Sequence, residues 1–259
     1  MSAPFAPEVS AIIAELRHGL PSALIATDFD GTLSPIVADP SQARPVAGAV
    51  ESLIELARRG AQVAVVTGRD VETVLELGGL AAIPGVIVSG LHGIQTWRDG
   101  RLTSRPEPPG LAVLRQQLPP LLPEGVWLED KQLSLVVHAR RAADPEAALA
   151  QVTEQVTALT EEQGLQAHPG KQVIELRIPG VSKASAIADL LGESTSAALF
   201  AGDDLGDLPA LVAVRQWSER TGRPGLTVAV GAVDELHPVS ALQLDGPAQM
   251  VQLLQQLLA

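Results

Sequence analysis

An α/β architecture, with a doubly wound parallel sheet interrupted by an inserted α+β module, is the fold class this sequence predicts, and three observations predict it. Short buried-type apolar runs alternate with amphipathic segments in the order strand, helix, strand, helix, strand. Each run empties into a loop rich in Asp, Gly or Thr, as happens at the carboxyl ends of open parallel sheets, where ligands gather. The turn-rich stretch Arg105-Pro106-Glu107-Pro108-Pro109-Gly110 then breaks this rhythm and introduces another.

Ser22 to Asp28 reads as the first buried strand, running directly into Asp28-Phe29-Asp30-Gly31-Thr32. Val46, Val50, Leu53, Ile54 and Ala57 recur at helical spacing, and Gly60 supplies a stop. Val63 to Val66 is a second strand, ending in Thr67-Gly68-Arg69-Asp70, where another helix starts. Gly85 to Ser89 is a third, ending in Gly90-Leu91-His92-Gly93. Within the insertion, Leu111 to Leu122 is helix-like, Gly125 to Asp130 and Leu133 to Ala139 strand-like, and Pro145 to Glu162 a long amphipathic helix. Leu165 to His168 and Gln172 to Arg177 add two strands, an order that gives a largely antiparallel sheet. After Pro179-Gly180 come a helix at Ser182 to Leu191, a strand at Ala197 to Ala201, the acidic loop Gly202-Asp203-Asp204-Leu205-Gly206-Asp207, a strand at Leu226 to Val230 and a helix at Ala248 to Leu258. The expected division is a Rossmann-like core of residues 1–105 and 179–259, with an α+β cap at 106–178 that sets substrate specificity.

At 259 residues the chain can bury a sizeable core. A formal net charge of -12 leaves no long basic face, so neither nucleic acid nor a membrane surface is an expected partner. There is no cysteine, which excludes disulfides and thiolate metal sites. Met1 to Ser10 lacks the basic start of a secretory signal, and no apolar run is long enough to span a bilayer, so the expected location is cytoplasmic.

The chemistry rests on the loops. Asp28 and Asp30 leave a strand end together, and Gly31 lets the backbone turn away without a Cβ clash. Crowded carboxylates repel unless a cation sits between them, and oxygen ligands suit Mg²⁺. One carboxylate can attack phosphorus while the other protonates the leaving alcohol and later activates water. Thr67 can donate a hydroxyl to a phosphoryl group, Lys183 at a helix start adds a positive charge, and Asp203 and Asp204 complete the metal shell. Taken singly, each of these is as readily a capped turn or a solvated surface residue. Their convergence at the ends of successive strands carries the argument. In the insertion, polar residues emerge at alternate positions: Glu129 with Lys131, His138 with Arg140, and Lys171 with Glu175 and Arg177. Such a face can hold sugar hydroxyls, or it can be an ordinary solvated sheet face.

The four loops resemble those of the haloacid dehalogenase superfamily of phosphatases. The resemblance implies that Asp28 is the nucleophile, Asp30 the general acid/base, Thr67 and Lys183 the phosphate holders, and Asp203 a Mg²⁺ ligand. Asp28 and the Asp30 backbone carbonyl join that metal shell, Asp204 orients metal-bound water, and Asp207 has a supporting role. Gly90-Leu91-His92-Gly93, Glu129-x-Lys131 with His138-x-Arg140, and Gly170-Lys171-x-Val173-x-Glu175-x-Arg177 further resemble the trehalose-6-phosphate phosphatases. That resemblance implies sugar-binding roles for Glu129, Lys131, Arg140, Lys171 and Glu175, substrate contacts for Arg69 and His92, and functional coupling to the trehalose-6-phosphate synthase. Ser182-Lys183-Ala184 and Asp203-Asp204-Leu205-Gly206-Asp207-Leu208 depart from the family's usual Asn-Lys-Gly and Asp-Asp-x-Thr-Asp-Glu, and with no Tyr present Trp97 and Trp127 are the candidate stacking partners. Competing expectations are a sucrose-phosphate or mannosyl-3-phosphoglycerate type of phosphatase, a silent sugar-phosphate-binding regulator, and a mutase passing the phosphoryl group to a sugar hydroxyl.

Overall fold

Residues 24–27 are apolar or hydroxyl-bearing without a break, and all four are buried, as a strand with neighbours on both sides and helices on both faces requires. In the computed structural model, which describes residues 5–131 and 133–259, this strand is the centre of a large sheet. Residues 1–4, part of the stretch read above for a signal sequence, lie outside the described residues.

In chain order the strands are β1 (Leu24–Thr27), β2 (Gln62–Val66), β3 (Ile87–Gly90), β4 (Gln95–Arg98), β5 (Arg101–Ser104), β6 (Trp127–Asp130), β7 (Leu135–His138), β8 (Gln166–Gly170), β9 (Val173–Arg177), β10 (Ala198–Gly202), β11 (Gly225–Val230) and β12 (Leu242–Leu244). The helices are α1 (Pro7–His18), α2 (Ala49–Arg58), α3 (Val71–Gly78), α4 (Pro109–Gln117), α5 (Pro145–Glu162), α6 (Lys183–Leu190), α7 (Leu208–Thr221) and α8 (Pro247–Leu258). They form two compact units, residues 1–104 with 182–259 and residues 105–181.

The larger unit holds an eight-stranded sheet in the order β12-β11-β10-β1-β2-β3-β4-β5. The first six of these are parallel, and β4 and β5 extend the edge as an antiparallel hairpin. Alternate residues of β1 go to opposite faces: Ile25 packs in one core with Leu16, Leu53, Leu56, Val74 and Leu254, while Leu24 and Ala26 pack in a second with Ile187, Leu211, Val214 and Trp217. Helices therefore cover both faces, which is the doubly wound arrangement expected. The hairpin is absent from the sequence reading because Gln95–Arg98 and Arg101–Ser104 carry no apolar run. Asp99 and Gly100 turn it through left-handed conformations, with φ of 52° and 77°. Helix α7 was likewise not anticipated, since it follows the acidic loop with little apolar contrast.

The smaller unit is a four-stranded antiparallel sheet, β6-β7-β9-β8. One face carries Leu135, Val137, Ile174 and Leu176 against Leu111, Leu114, Val152 and Val156 of α4 and α5. Asp144 caps α5 by accepting from the Ala147 amide, so this helix begins where the sequence places it. The expected helix 111–122 is shorter, ending at Gln117, because the Pro119-Pro120 pair permits only a single tight turn beyond it. Among the described residues no helix is long and apolar enough to cross a membrane.

Phe200 of β10 is fully buried. Replacing it with Ala is expected to cost about 3–5 kcal/mol through lost transfer energy and the cavity left behind. Equilibrium urea denaturation measures this as a lowered midpoint.

Candidate active site

The backbone ladder between β1 and β10 continues one residue past β1, the Asp28 amide donating to the Ala201 carbonyl at 2.8 Å. Asp28 therefore starts its loop from a fixed point beside the loop that follows β10. Gly31 has φ +68°, and a Cβ there would stand 1.9 Å from Asp203 Oδ2. The glycine thus provides both the turn and the space into which the second loop's carboxylate fits.

Lys183 is the first residue of α6, and only 3% of its side chain is exposed. Its ammonium donates to Asp28 Oδ2 at 2.7 Å and to Asp207 Oδ1 at 2.6 Å. The other Asp207 oxygen accepts from the Asp203 and Asp204 amides at 3.1 and 3.3 Å, closing the acidic loop on itself. Ser182 caps α6 in a reciprocal arrangement with Ser185, so the departure from Asn-Lys-Gly still provides a helix cap ahead of the lysine. Burial opposes the charge on Lys183, but the carboxylates of Asp28 and Asp207 outweigh it and shift its pKa upward, so the ammonium persists. Burial raises the Asp28 carboxyl against the pull of Lys183 and of the Phe29 amide, which donates to Oδ1 at 2.6 Å. Asp203 is pushed up to about 7, by burial first and then by the charges of Asp28 and Asp204.

Loops from β2 and β3 close the other side. Thr67 is buried, its amide donating to the Ser89 carbonyl at 2.8 Å and its hydroxyl oxygen accepting from the Arg69 amide at 3.2 Å. The Leu91 and His92 amides donate to the carbonyls of Arg69 and Thr67, which ties the loop after β3 to the loop after β2. Leu91 and His92 both adopt positive φ, 48° and 57°, a strain that these two hydrogen bonds hold in place. The His92 ring lies against Gly68, where a Cβ would meet it at 3.0 Å. Arg69 grips Asp30 with a fork, Nε to Oδ2 at 2.6 Å and Nη2 to Oδ1 at 2.8 Å. Spacing along the chain gives no sign of this pair, because its partners come from different strands.

Asp28, Asp30, Thr67, Arg69, His92, Lys183, Asp203 and Asp204 thus all stand at the carboxyl ends of β1, β2, β3 and β10 or at the start of α6. Carboxylate oxygens of Asp28, Asp203 and Asp207 lie within 4.8 Å of one another. Both Asp207 oxygens are already engaged, and Asp204 is exposed. Asp28 is engaged as well, its oxygens accepting from Lys183 and the Phe29 amide, and Asp28 and Asp203, within 4.8 Å of each other, are the acids that could hold a cation. An all-oxygen donor set with excess negative charge suits a hard divalent ion. A groove of about 650 Å³ between α6 and the β4–β5 hairpin, lined by Ile87, Thr96, Arg101 and Asp189, includes none of these acids, and the chemistry belongs with the charges.

In the smaller unit, Glu129, His138, Glu175 and Arg177 share the sheet face opposite α4 and α5. Lys131, Arg140 and Lys171 are exposed and lie beyond the strands, so the alternation read from the sequence stops short of them. Lys131 lies in the β6–β7 turn, its amide donating to the Ser134 carbonyl at 3.0 Å, and Lys171 lies in the two-residue turn between β8 and β9. Arg140 follows β7 at the end of the sheet where Lys171 turns, and Lys131 is at the opposite end.

Removing Asp207 strands a buried ammonium and frees a loop. Asp207→Ala is expected to lower stability by about 3–5 kcal/mol, the range for breaking one side of a buried pair, read as a drop in thermal midpoint. Asp203, raised to about 7 from 3.8, makes the folded state the tighter proton binder, so its contribution is present below about pH 4 and lost as pH climbs through 7. The cation-free protein should melt at a lower temperature at pH 8 than at pH 5, and added Mg²⁺ should raise the melting temperature more at pH 8. Scanning calorimetry at the two pH values checks both.

The family model described as trehalose-phosphatase matches residues 26–238. Trehalose-phosphate phosphatase of Mycobacterium avium is 35% identical over 249 residues, covering 89% of this chain, and that of Mycobacterium leprae is 32% identical over 243 residues, covering 85%. The chain spans only 60% and 54% of the lengths of those two relatives. The fold is that of Aspergillus fumigatus trehalose-6-phosphate phosphatase, with a TM-score of 0.75 at 24% identity, covering 95% of this chain and 96% of that one. A match to the family model over most of its length, through the loops that bear Asp28, Thr67, Lys183 and Asp203, makes this chain a member of the trehalose-phosphatase family.

Proposed function

We propose that this chain hydrolyses trehalose 6-phosphate to trehalose and inorganic phosphate through a phosphoryl group carried on Asp28. The observation that carries the reading is the buried Lys183, held 2.7 Å from Asp28 at the head of the acidic loops. It keeps a carboxylate nucleophile in place and offers positive charge where a phosphoryl group would arrive. An Asp28 oxygen attacks phosphorus, the bond from phosphorus to the sugar oxygen breaks, and that oxygen takes a proton from the Asp30 carboxyl. The Asp30 carboxylate then takes a proton from water as the water oxygen bonds to phosphorus, and the bond to Asp28 breaks. Thr67 and Lys183 hold the phosphoryl oxygens throughout.

Asp28, Asp203 and the Asp30 backbone carbonyl would hold Mg²⁺, with Asp204 orienting water around it. Bound there, the ion supplies charge that offsets repulsion between an anionic substrate and an anionic nucleophile. The smaller unit acts as the specificity cap: Glu129, Lys131, Arg140, Lys171 and Glu175 hold the sugar, and Arg69 and His92 complete the contacts near the phosphate. Family membership supports a cytoplasmic enzyme working after the synthase that makes its substrate.

Phosphate release tests the reading. Trehalose 6-phosphate is expected to be turned over at least tenfold faster than glucose 6-phosphate, sucrose phosphate or mannosyl-3-phosphoglycerate, and equal rates across that panel would overturn the substrate assignment. Asp28→Asn should lower the rate by about a thousandfold or more, as loss of a nucleophile does. Chelation should abolish turnover, and Mg²⁺ should restore it.

A further inference from the structure

We infer that His138, to which the functional reading assigns no part, is the positioning residue that aims Glu129 at the sugar. The inference rests on that reading, in which Glu129 is a sugar contact, and it adds how the carboxylate is oriented and how many acceptors it can offer.

His138 is the last residue of β7 and stands directly opposite Trp127 on β6. Cross-strand partners on one face are close enough to touch, and their rings stack with centroids 4.8 Å apart and planes 9° from parallel. The Arg141 guanidinium lies over the Trp127 ring at 4.2 Å, so the indole is contacted on two sides. A stacked imidazole has little freedom to turn about its side-chain bonds. Its Nε2 is 2.6 Å from Glu129 Oε2. A carboxylate oxygen can only accept, which makes Nε2 the donor. Glu129 lies two residues beyond Trp127 on the same face, so its side chain reaches back diagonally to meet the ring.

Two consequences follow for recognition. Oε2 is committed to His138, while Oε1 has no donor among the described residues, so Glu129 presents one oxygen in a fixed place to a hydroxyl. His138 Nδ1 is buried and has no hydrogen-bond partner among the described residues. An unpartnered buried acceptor costs stability, about 1–3 kcal/mol for a typical group. A surface ion pair selected for stability alone would not keep one. A histidine kept for the direction of its Nε2–H would.

Steady-state kinetics of phosphate release from trehalose 6-phosphate by the full chain, with His138→Ala, His138→Gln, Glu129→Ala and the double variant, test the inference. Because the pair acts before chemistry, His138→Ala should raise KM about tenfold with kcat within about twofold. His138→Gln, whose side-chain amide can donate to Oε2, should recover most of the loss. The two alanine changes should not add, the double variant binding no worse than Glu129→Ala alone. Independent, multiplying losses, a fall confined to kcat, or His138→Gln as poor as His138→Ala while melting at the wild-type temperature would each overturn the positioning role. Wild-type protein that leaves trehalose 6-phosphate intact would overturn the substrate reading itself, and the inference with it.

Discussion

A single buried ammonium holds the larger unit's chemistry together. Lys183 is almost fully buried, between a carboxylate from the loop after β1 and another from the loop after β10. The lysine favours the ionised form of both acids against their burial, and the acids favour the charged lysine against its own. Its position in turn is set by backbone: Ser182 starts α6, and α6 packs through Ile187 on the face of β1. Asp207 extends the same constraint outward by collecting two amides of its own loop, and that places Asp203 over Gly31. The three acids Asp28, Asp203 and Asp207 around one lysine leave the pocket with excess negative charge, an arrangement that could hold a cation.

The two sheets solve different problems. The large one is covered on both faces along its parallel strands, so β1, β2, β3, β10 and β11 are mostly apolar and the reactive groups stand in the loops at one end. Loops there are short and cross-tied, as between Thr67 and His92, and they hold side chains nearly as firmly as a strand would. The smaller sheet has helices on one face only. Its other face carries paired polar groups, Glu129 with His138 across β6 and β7, and Glu175 with Arg177 two residues apart along β9.

Much of this was legible in the residues. Ile25, Val65 and Leu199 belong to short apolar runs bounded by turn residues, as buried parallel strands are, and the loops after them carried the acids and the threonine at the expected ends, with the lysine at the start of α6. Helix α5 was readable to its termini because Asp144 and Pro145 mark its start and its period is regular. The β4–β5 hairpin was not, since an edge strand exposed along its length needs no hydrophobic signature. Nor were the pairings Arg69 with Asp30 and His138 with Glu129, for each joins residues from separate strands whose contact is made only by the sheet. Lys131, Arg140 and Lys171 were read onto the sheet faces although they lie one residue outside the expected strands, because alternation alone does not say where a strand stops. Backbone pairing decides that: β6 stops at Asp130 as expected, while β8 runs on to Gly170, two residues past the expected His168.

The place of β10 next to β1 also bears on how the chain is made. A ribosome delivers Asp28 and Asp30 early, yet the strand that pairs with β1 on its far side, and the lysine that neutralises Asp28, emerge only after the whole of residues 105–181. The smaller unit, whose strands pair among themselves, can close while the larger sheet still waits for its central partner. During that interval the nascent larger unit is an open-edged half-sheet with Asp28 and Asp30 at its rim, where like charge disfavours pairing of one such edge with another.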